Sequence, residues 1–165
     1  MYDHVNYFRT VAGTLKEFVH TPHETVFHRV RSIASMEEFL FSSRIVKKIP
    51  HLLVMDRVDS RLQDVLSDNR LIKSFYSFYI VAHAPMDDFD TIETANQSVK
   101  SILHKILSKM IHDKQNYLFG MQLLDADSIV YGSIGPIGDN FIGVECSFTI
   151  VEIIPLAFDL SDWHI

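Results

Sequence analysis

Between Leu71 and Asp90 the chain reads LIKSFYSFYIVAHAPMDDFD, an aromatic and β-branched run broken by Pro85 and closed by a cluster of aspartates. Phe75, Tyr76, Phe78, Tyr79, Ile80 and Val81 suit a pleated surface, and their density predicts a central strand over 72–84. Pro85 to Asp90 turns the chain, and Asp90 with Glu93 has the spacing of a capped helix start. Beyond it Ile92, Val99, Ile102, Leu103, Ile106 and Met110 share one face of a long helix. Acids stand before and in its first turn, while Lys105, Lys109, His112 and Lys114 lie toward its end, so both ends complement the helix dipole.

After that helix two strands are expected, over 117–124 and 129–132, then a turn-rich Gly135-Pro136-Ile137-Gly138-Asp139-Asn140. In the last strand Val144, Cys146, Phe148 and Ile150 alternate with Glu145, Ser147 and Thr149, which predicts one core face and one wet face. Upstream, Val5, Phe8, Ala12, Leu15 and Val19 line one face of a helix over 3–20, capped by Asp3 and ended by Thr21-Pro22. A strand is expected over 25–33, with Val26, His28 and Val30 on one face. Ser35 and Glu38 have capping-box spacing for a short helix over 36–42, and His51 to Met55 is a short apolar strand. The polar stretch 56–69 reads as an irregular connection in which Val58, Leu62, Val65 and Leu66 could make a helical turn. The pattern predicts an α+β fold: a largely antiparallel or mixed sheet with an N-terminal helix and one long central helix packed on one face.

At 165 residues, 47% of them hydrophobic, the chain has the size and core material of a single domain spanning 1–165. The longest apolar runs fall far short of the roughly 20 residues needed to cross a bilayer, and the N-terminus lacks a signal-peptide layout, so a cytoplasmic protein without membrane contact is expected. A net charge of −6 argues against broad nucleic-acid binding, which needs basic patches to displace counterions from phosphates.

Chemistry-bearing motifs are weak. The single Cys146 excludes an intrachain disulfide and any zinc site built on several thiolates, and its place in the last strand reads as a buried thiol. Gly132 to Gly138 resembles a phosphate-cradling loop only superficially, lacking the Gly-Lys-Ser/Thr ending and leading into a strand. His20, His23 and His28 are the closest histidine cluster, with no His-Glu-x-x-His helix beside them. Asp87, Asp88 and Asp90 lack the twelve-residue calcium loop and are explained by capping. No Gly-x-Ser-x-Gly elbow exposes a nucleophile. No catalytic residue, metal ligand or cofactor is therefore expected. The residues from Ile153 to Ile165 stay apolar past the last strand, so Leu156, Phe158 and Trp163 are read either as folded back on their own domain or as buried in a neighbour.

Several phrases resemble phage-derived proteins of the tail-terminator or tail-completion (head-tail joining) type, including forms in Bacteroidetes-like phage or prophage gene clusters. These are Leu52-Leu53-Val54-Met55, Ser67-Asp68-Asn69, the aromatic strand ending at His83, Asp87-Asp88-Phe89-Asp90 before the long helix, and Gly135 to Val144 before the final strand. The resemblance covers roughly Leu52 to Ile150. It implies a non-enzymatic virion subunit, assembled in the bacterial cytoplasm, that forms a ring, often a hexamer, and contacts tail-tube and head-connector proteins. An acidic ring suits DNA passing through without sequence-specific contact. Asp87, Asp88, Asp90, Leu156, Phe158 and Trp163 are then the candidate interface residues. Two alternatives stand beside this one. The first is a small α+β ligand-binding domain or enzyme with a pocket between long helix and sheet, using Tyr76, Tyr79 and His83. The second is a metal-binding accessory protein using the histidines near the first helix.

Overall fold

A computed structural model describes residues 2–18, 25–42, 47, 49–56, 58–63, 69–155 and 161. The predicted central strand becomes β4, Asn69–His83, and the alternating last strand becomes β6, Phe141–Pro155. The two are antiparallel along their whole length, from Asn69 opposite Pro155 to His83 opposite Phe141. On the far side of β6 lies β5, Leu124–Ile137, and on the far side of β4 lies β2, His51–Met55, itself paired in parallel with β1, Phe27–Val30. The order β1-β2-β4-β6-β5 is a mixed sheet in an α+β fold, as the pattern predicts.

The long helix is α3, Phe89–Gln115. Val99, Ile102, Leu103, Ile106 and Met110 are fully or almost fully buried against Phe78, Ile80, Val144, Cys146, Phe148 and Ile150. Even-numbered residues of β4 and β6 thus supply the face under α3 and the N-terminal helix α1, His4–Thr14. A smaller cluster on the opposite face joins Leu53, Tyr79, Val81 and Phe141 to Met36 and Leu40 of α2, Ile33–Phe41. The helices are consequently divided between the two faces, the two longest together on one.

Several expected boundaries move. α1 stops at Thr14, where Leu15 turns extended, instead of continuing to residue 20. Its buried side is His4, Tyr7, Phe8, Val11 and Ala12, because the tyrosine and histidine find polar partners inside. α2 begins at Ile33 with a capping box between Ser32 and Ser35, so Ser35 closes the box rather than opening it. The cap of α3 is Asp88, whose carboxylate accepts from Asp90 N–H at 3.1 Å and Thr91 N–H at 3.2 Å; Asp90 sits within the first turn. In the stretch expected to be irregular, Asp59–Gln63 forms β3, paired with the N-terminal half of β4 beside β2. Where two strands and a loop are expected after α3, residues 117–120 turn, Met121–Leu123 makes one 3-10 turn, and β5 runs unbroken to Ile137 with two bulges. The glycine-rich stretch is therefore mostly strand, and the hairpin turn is confined to 138–140. Thr149, expected to be wet, is buried where its N–H donates to Ser128 Oγ at 2.8 Å. The Ser67-Asp68 turn, Leu156, Phe158, Trp163, His20 and His23 lie outside the described residues.

One buried charge locks α1 to α3. Asp113 is fully buried and accepts from the Tyr7 hydroxyl at 2.9 Å, from Lys109 Nζ at 2.9 Å through both oxygens, and from His112 at 3.3 Å. Burial pushes its carboxyl up, but the hydrogen bonds from Lys109, Tyr7 and His112 more than reverse this, so it stays ionised below the usual carboxylate range. Asp113→Ala would strand the Tyr7 hydroxyl and is expected to cost about 2–4 kcal/mol, against about 1 kcal/mol for Tyr7→Phe, which leaves Lys109 in place. Urea unfolding of both variants checks the order, and equal or reversed costs would mean that this network does not hold the two helices together.

Candidate assembly surface

Asp87, Asp88 and Asp90 lie within a continuous exposed run from Pro85 to Asp90. Asp88 is spent on the helix cap, and its pKa is lowered first by the Thr91 hydroxyl and then by backbone N–H groups. Between the acids two apolar side chains project, Met86 at 46% and Phe89 at 83% exposure. Phe89 begins a 27-residue helix whose inner face is packed, so the ring is presented on a rigid element. Its neighbour at this end of the sheet is the hairpin tip, since Ala84 N–H donates to Asn140 O at 2.9 Å. Phe41, the last residue of α2, is 68% exposed, and the preceding Leu40 lies against Gly138 of the same tip.

A second apolar surface lies beyond the other end of α3. Tyr117, Leu118 and Phe119 are exposed in a turn where Tyr117 and Phe119 take φ of 57° and 53°, before Gly120 at 78°. Left-handed backbone at two aromatic residues costs on the order of 1–3 kcal/mol each and persists only where surroundings enforce it. Here the Leu118 N–H donates to Asp113 O at 2.9 Å, and the Phe119 ring lies 5.9 Å from Tyr7 with the Lys109 ammonium 5.5 Å over it.

Tyr76 and Tyr79 both border one groove, whereas His83 does not. Tyr76 belongs to the α1 side, 5.2 Å from Tyr2 and 4.7 Å from His4, whereas Tyr79 and His83 point to the α2 side by strand alternation. The space between α3 and the sheet is filled by fully buried apolar side chains. A groove of about 430 Å³ opens instead on the α2 face, lined by Arg31, Ile33, Phe75, Tyr76, Tyr79 and Glu145. In it the Tyr79 hydroxyl donates to Glu145 at 2.9 Å, and burial together with that carboxylate pushes the phenol up to about 12. Cys146 faces the core and burial raises its thiol to about 12, which leaves it protonated and inert at neutral pH.

Among the described residues His4, His28 and His51 are held in structural contacts. His28 Nε2 and His51 Nδ1 are 3.1 Å apart across β1 and β2, so one proton is shared between them and the second is excluded. Burial, then the proximity of His51, lowers His28 to about 4. His4 contacts the Ser77 carbonyl at 3.2 Å, so its Nε2 carries the proton, while its Nδ1 faces the Tyr2 hydroxyl at 3.2 Å. Burial lowers it to about 4 as well. Among the described residues no group of three His, Cys, Asp or Glu side chains is arranged to hold a metal ion. Neither the His28–His51 pair, 23 residues apart, nor the Tyr7–Asp113 bond, 106 apart, is signalled by any local motif.

Both histidines have folded pKa values below the ordinary 6.5, so the unfolded chain takes up protons first as pH falls. Stability is expected to be intact above pH 6.5, to decline between 6.5 and 4, and to lose about 3 kcal/mol from His4 alone once below 4. Thermal melts from pH 7 to 5, where most carboxylates stay ionised, are expected to show this decline and His4→Gln to flatten it. A wild-type melting temperature that does not move over that range would contradict the burial of two neutral imidazoles. No protein-family model matches the chain, and no curated protein matches its sequence.

Proposed function

We propose that the chain is a non-enzymatic assembly subunit of the tail-terminator type, joining copies of itself into a ring, with tail-tube and head-connector proteins as its other partners. The observation that carries this reading is Phe89. It is a phenylalanine 83% exposed, flanked by Met86 and three aspartates, and fixed on the capped first turn of a long packed helix. A rigid aromatic side chain inside a polar rim is the usual anatomy of an interface anchor, and it contributes nothing to the chain's own core. The acidic balance of −6 is compatible with DNA passing close by without being held.

The second reading, a small-molecule binding domain or enzyme, is favoured by one observation, the Tyr79–Glu145 pair on the floor of the α2-side groove. It supplies two convergent polar groups, of which the Tyr79 phenol, raised to about 12, stays protonated at neutral pH.

Deleting the gene in its host and imaging the particles separates the two. Tails of uneven length and unattached heads are expected, restored by the wild-type gene and about tenfold less well by Phe89→Ala. Normal particles after deletion, or a host that makes no tail-like particle, would overturn the assembly reading.

A further inference from the structure

The path through the sheet ends at β1 and β5, with β3 a further short edge on β4, and among the described residues no strand pairs with the outside of either end. β5 is fourteen residues long, carries no charged side chain from Val130 to Ile137, and leaves Val130 65% and Tyr131 54% exposed. Pro136 and the two bulges blunt the ends of this edge, and the uncharged stretch between them, Val130 to Ile134, is the part whose outward N–H and C=O groups can pair with an added strand. The acids of β5 are held at one end, Asp125 and Asp127. The opposite edge carries Arg29 in β1, already paired with Asp56 of its own subunit at 2.6 Å, and Arg31 directly after it as the further cation.

Strand direction and register fit these edges to one another. β1 runs parallel to β2, and each later pairing, β2 with β4, β4 with β6 and β6 with β5, is antiparallel. β1 and β5 therefore point in opposite directions within one subunit, and a second copy set beside the first in the same orientation brings β5 against β1 antiparallel. Across the sheet Arg29, Val54, Phe78, Cys146 and Tyr131 occupy one row. Without any slide along the strands, Arg29 of one copy meets the exposed Tyr131 of the next. Two residues on, Arg31 meets the bulge between Asp125 and Val130 that carries Asp127. The row in between brings Val30 toward Val130.

We propose that the outer edge of β5 docks on the outer edge of β1 of a second copy of this chain, continuing the sheet head to tail, with Arg31 against Asp127 and Arg29 against Tyr131. The inference rests on the assembly reading and specifies its contact. The patches that meet are different, so the interaction is heterologous and propagates from copy to copy instead of stopping at a pair, and a rotation between neighbours about the ring axis closes it. The uncharged run supplies the hydrogen-bonding edge, and the charges set direction and register.

Sedimentation velocity of the full chain over a concentration series tests it. Wild type is expected to pass from monomer to one closed species. Val130→Lys with Tyr131→Lys is expected to remain monomeric. Asp127→Arg and Arg31→Asp are each expected to weaken association roughly tenfold, and their combination to restore it. Circular dichroism of each variant confirms that the monomer is still folded. Association that survives the lysine pair overturns the edge contact while leaving the assembly reading in place. Loss with the lysine pair but indifference to both charge reversals points to β5 pairing with itself and also overturns it. A wild type that stays monomeric at every concentration overturns the contact and ring formation by the isolated chain together, whereas a failed gene deletion alone would count only against the role in tails.

Discussion

β4 and β6 are paired residue for residue over fifteen positions, and that ladder decides where every other element goes. It needs one close approach, at Gly143, where a β-carbon would collide with the Ile80 carbonyl oxygen of the neighbouring strand. Because the pair is long and its alternation unbroken, each strand offers two usable faces. The even-numbered face is apolar from Phe78 to Ile80 and from Val144 to Ile150, and it collects α1 and α3. On the odd-numbered face only Tyr79, Val81 and Phe141 join a buried apolar cluster, the one under the short α2, while Phe75 and Ile153 stay exposed and a groove remains open. The division of labour between a closed core and an open face thus follows from which residues alternate within two strands.

Buried polar groups concentrate where helices meet that ladder. His4 is tied to the Ser77 carbonyl, Tyr7 to Asp113, and His51 to His28. Each lies at a junction that apolar packing alone would leave free to slide, and each is satisfied by a partner far away in sequence. A half-satisfied group at such a place would cost more than an apolar replacement, so these contacts specify one docking of α1 and β1 on the sheet. They also explain why titratable groups with shifted pKa values occur here without marking a reactive centre: burial is the first cause of each histidine shift, and the groups face different elements instead of one cavity.

The parts legible in the sequence are those decided by local pattern. His51–Met55 is a strand over the predicted residues, α3 carries its predicted buried face, and the Val144 to Ile150 alternation is realised as core. What escaped depends on distant partners. β3 is exposed at every position and has no hydrophobic pattern of its own; it is a strand because β4 presents an unpaired edge beside it. α1 ends at Thr14, where Leu15 turns extended, although the apolar period continues to Val19, and its buried face keeps the predicted Phe8 and Ala12 while adding His4 and Tyr7. Asp88, not Asp90, caps α3, a shift of two residues that leaves Phe89 on the first turn and aimed outward. The exposure of the acidic turn was legible from its aspartates. That β5 is an edge was not, because strand order is a property of the whole sheet.

Strand order also bears on how such a subunit meets its neighbours. Among the described residues four of the five strand pairings are antiparallel, and the parallel one, β1 on β2, reverses the direction of one outer edge. Had β1 been antiparallel to β2, both outer edges would run the same way, and copies joined head to tail would meet in a parallel ladder, which is slightly weaker per residue and geometrically slanted. With β1 as it stands, such a join would be antiparallel, with hydrogen bonds perpendicular to the strands. Parallel pairing requires a crossover to bring the chain back, and here α2 is the helix of that crossover, packed on the face opposite α3. The short helix that looks incidental to the core is therefore what makes the two edges of the sheet complementary in direction.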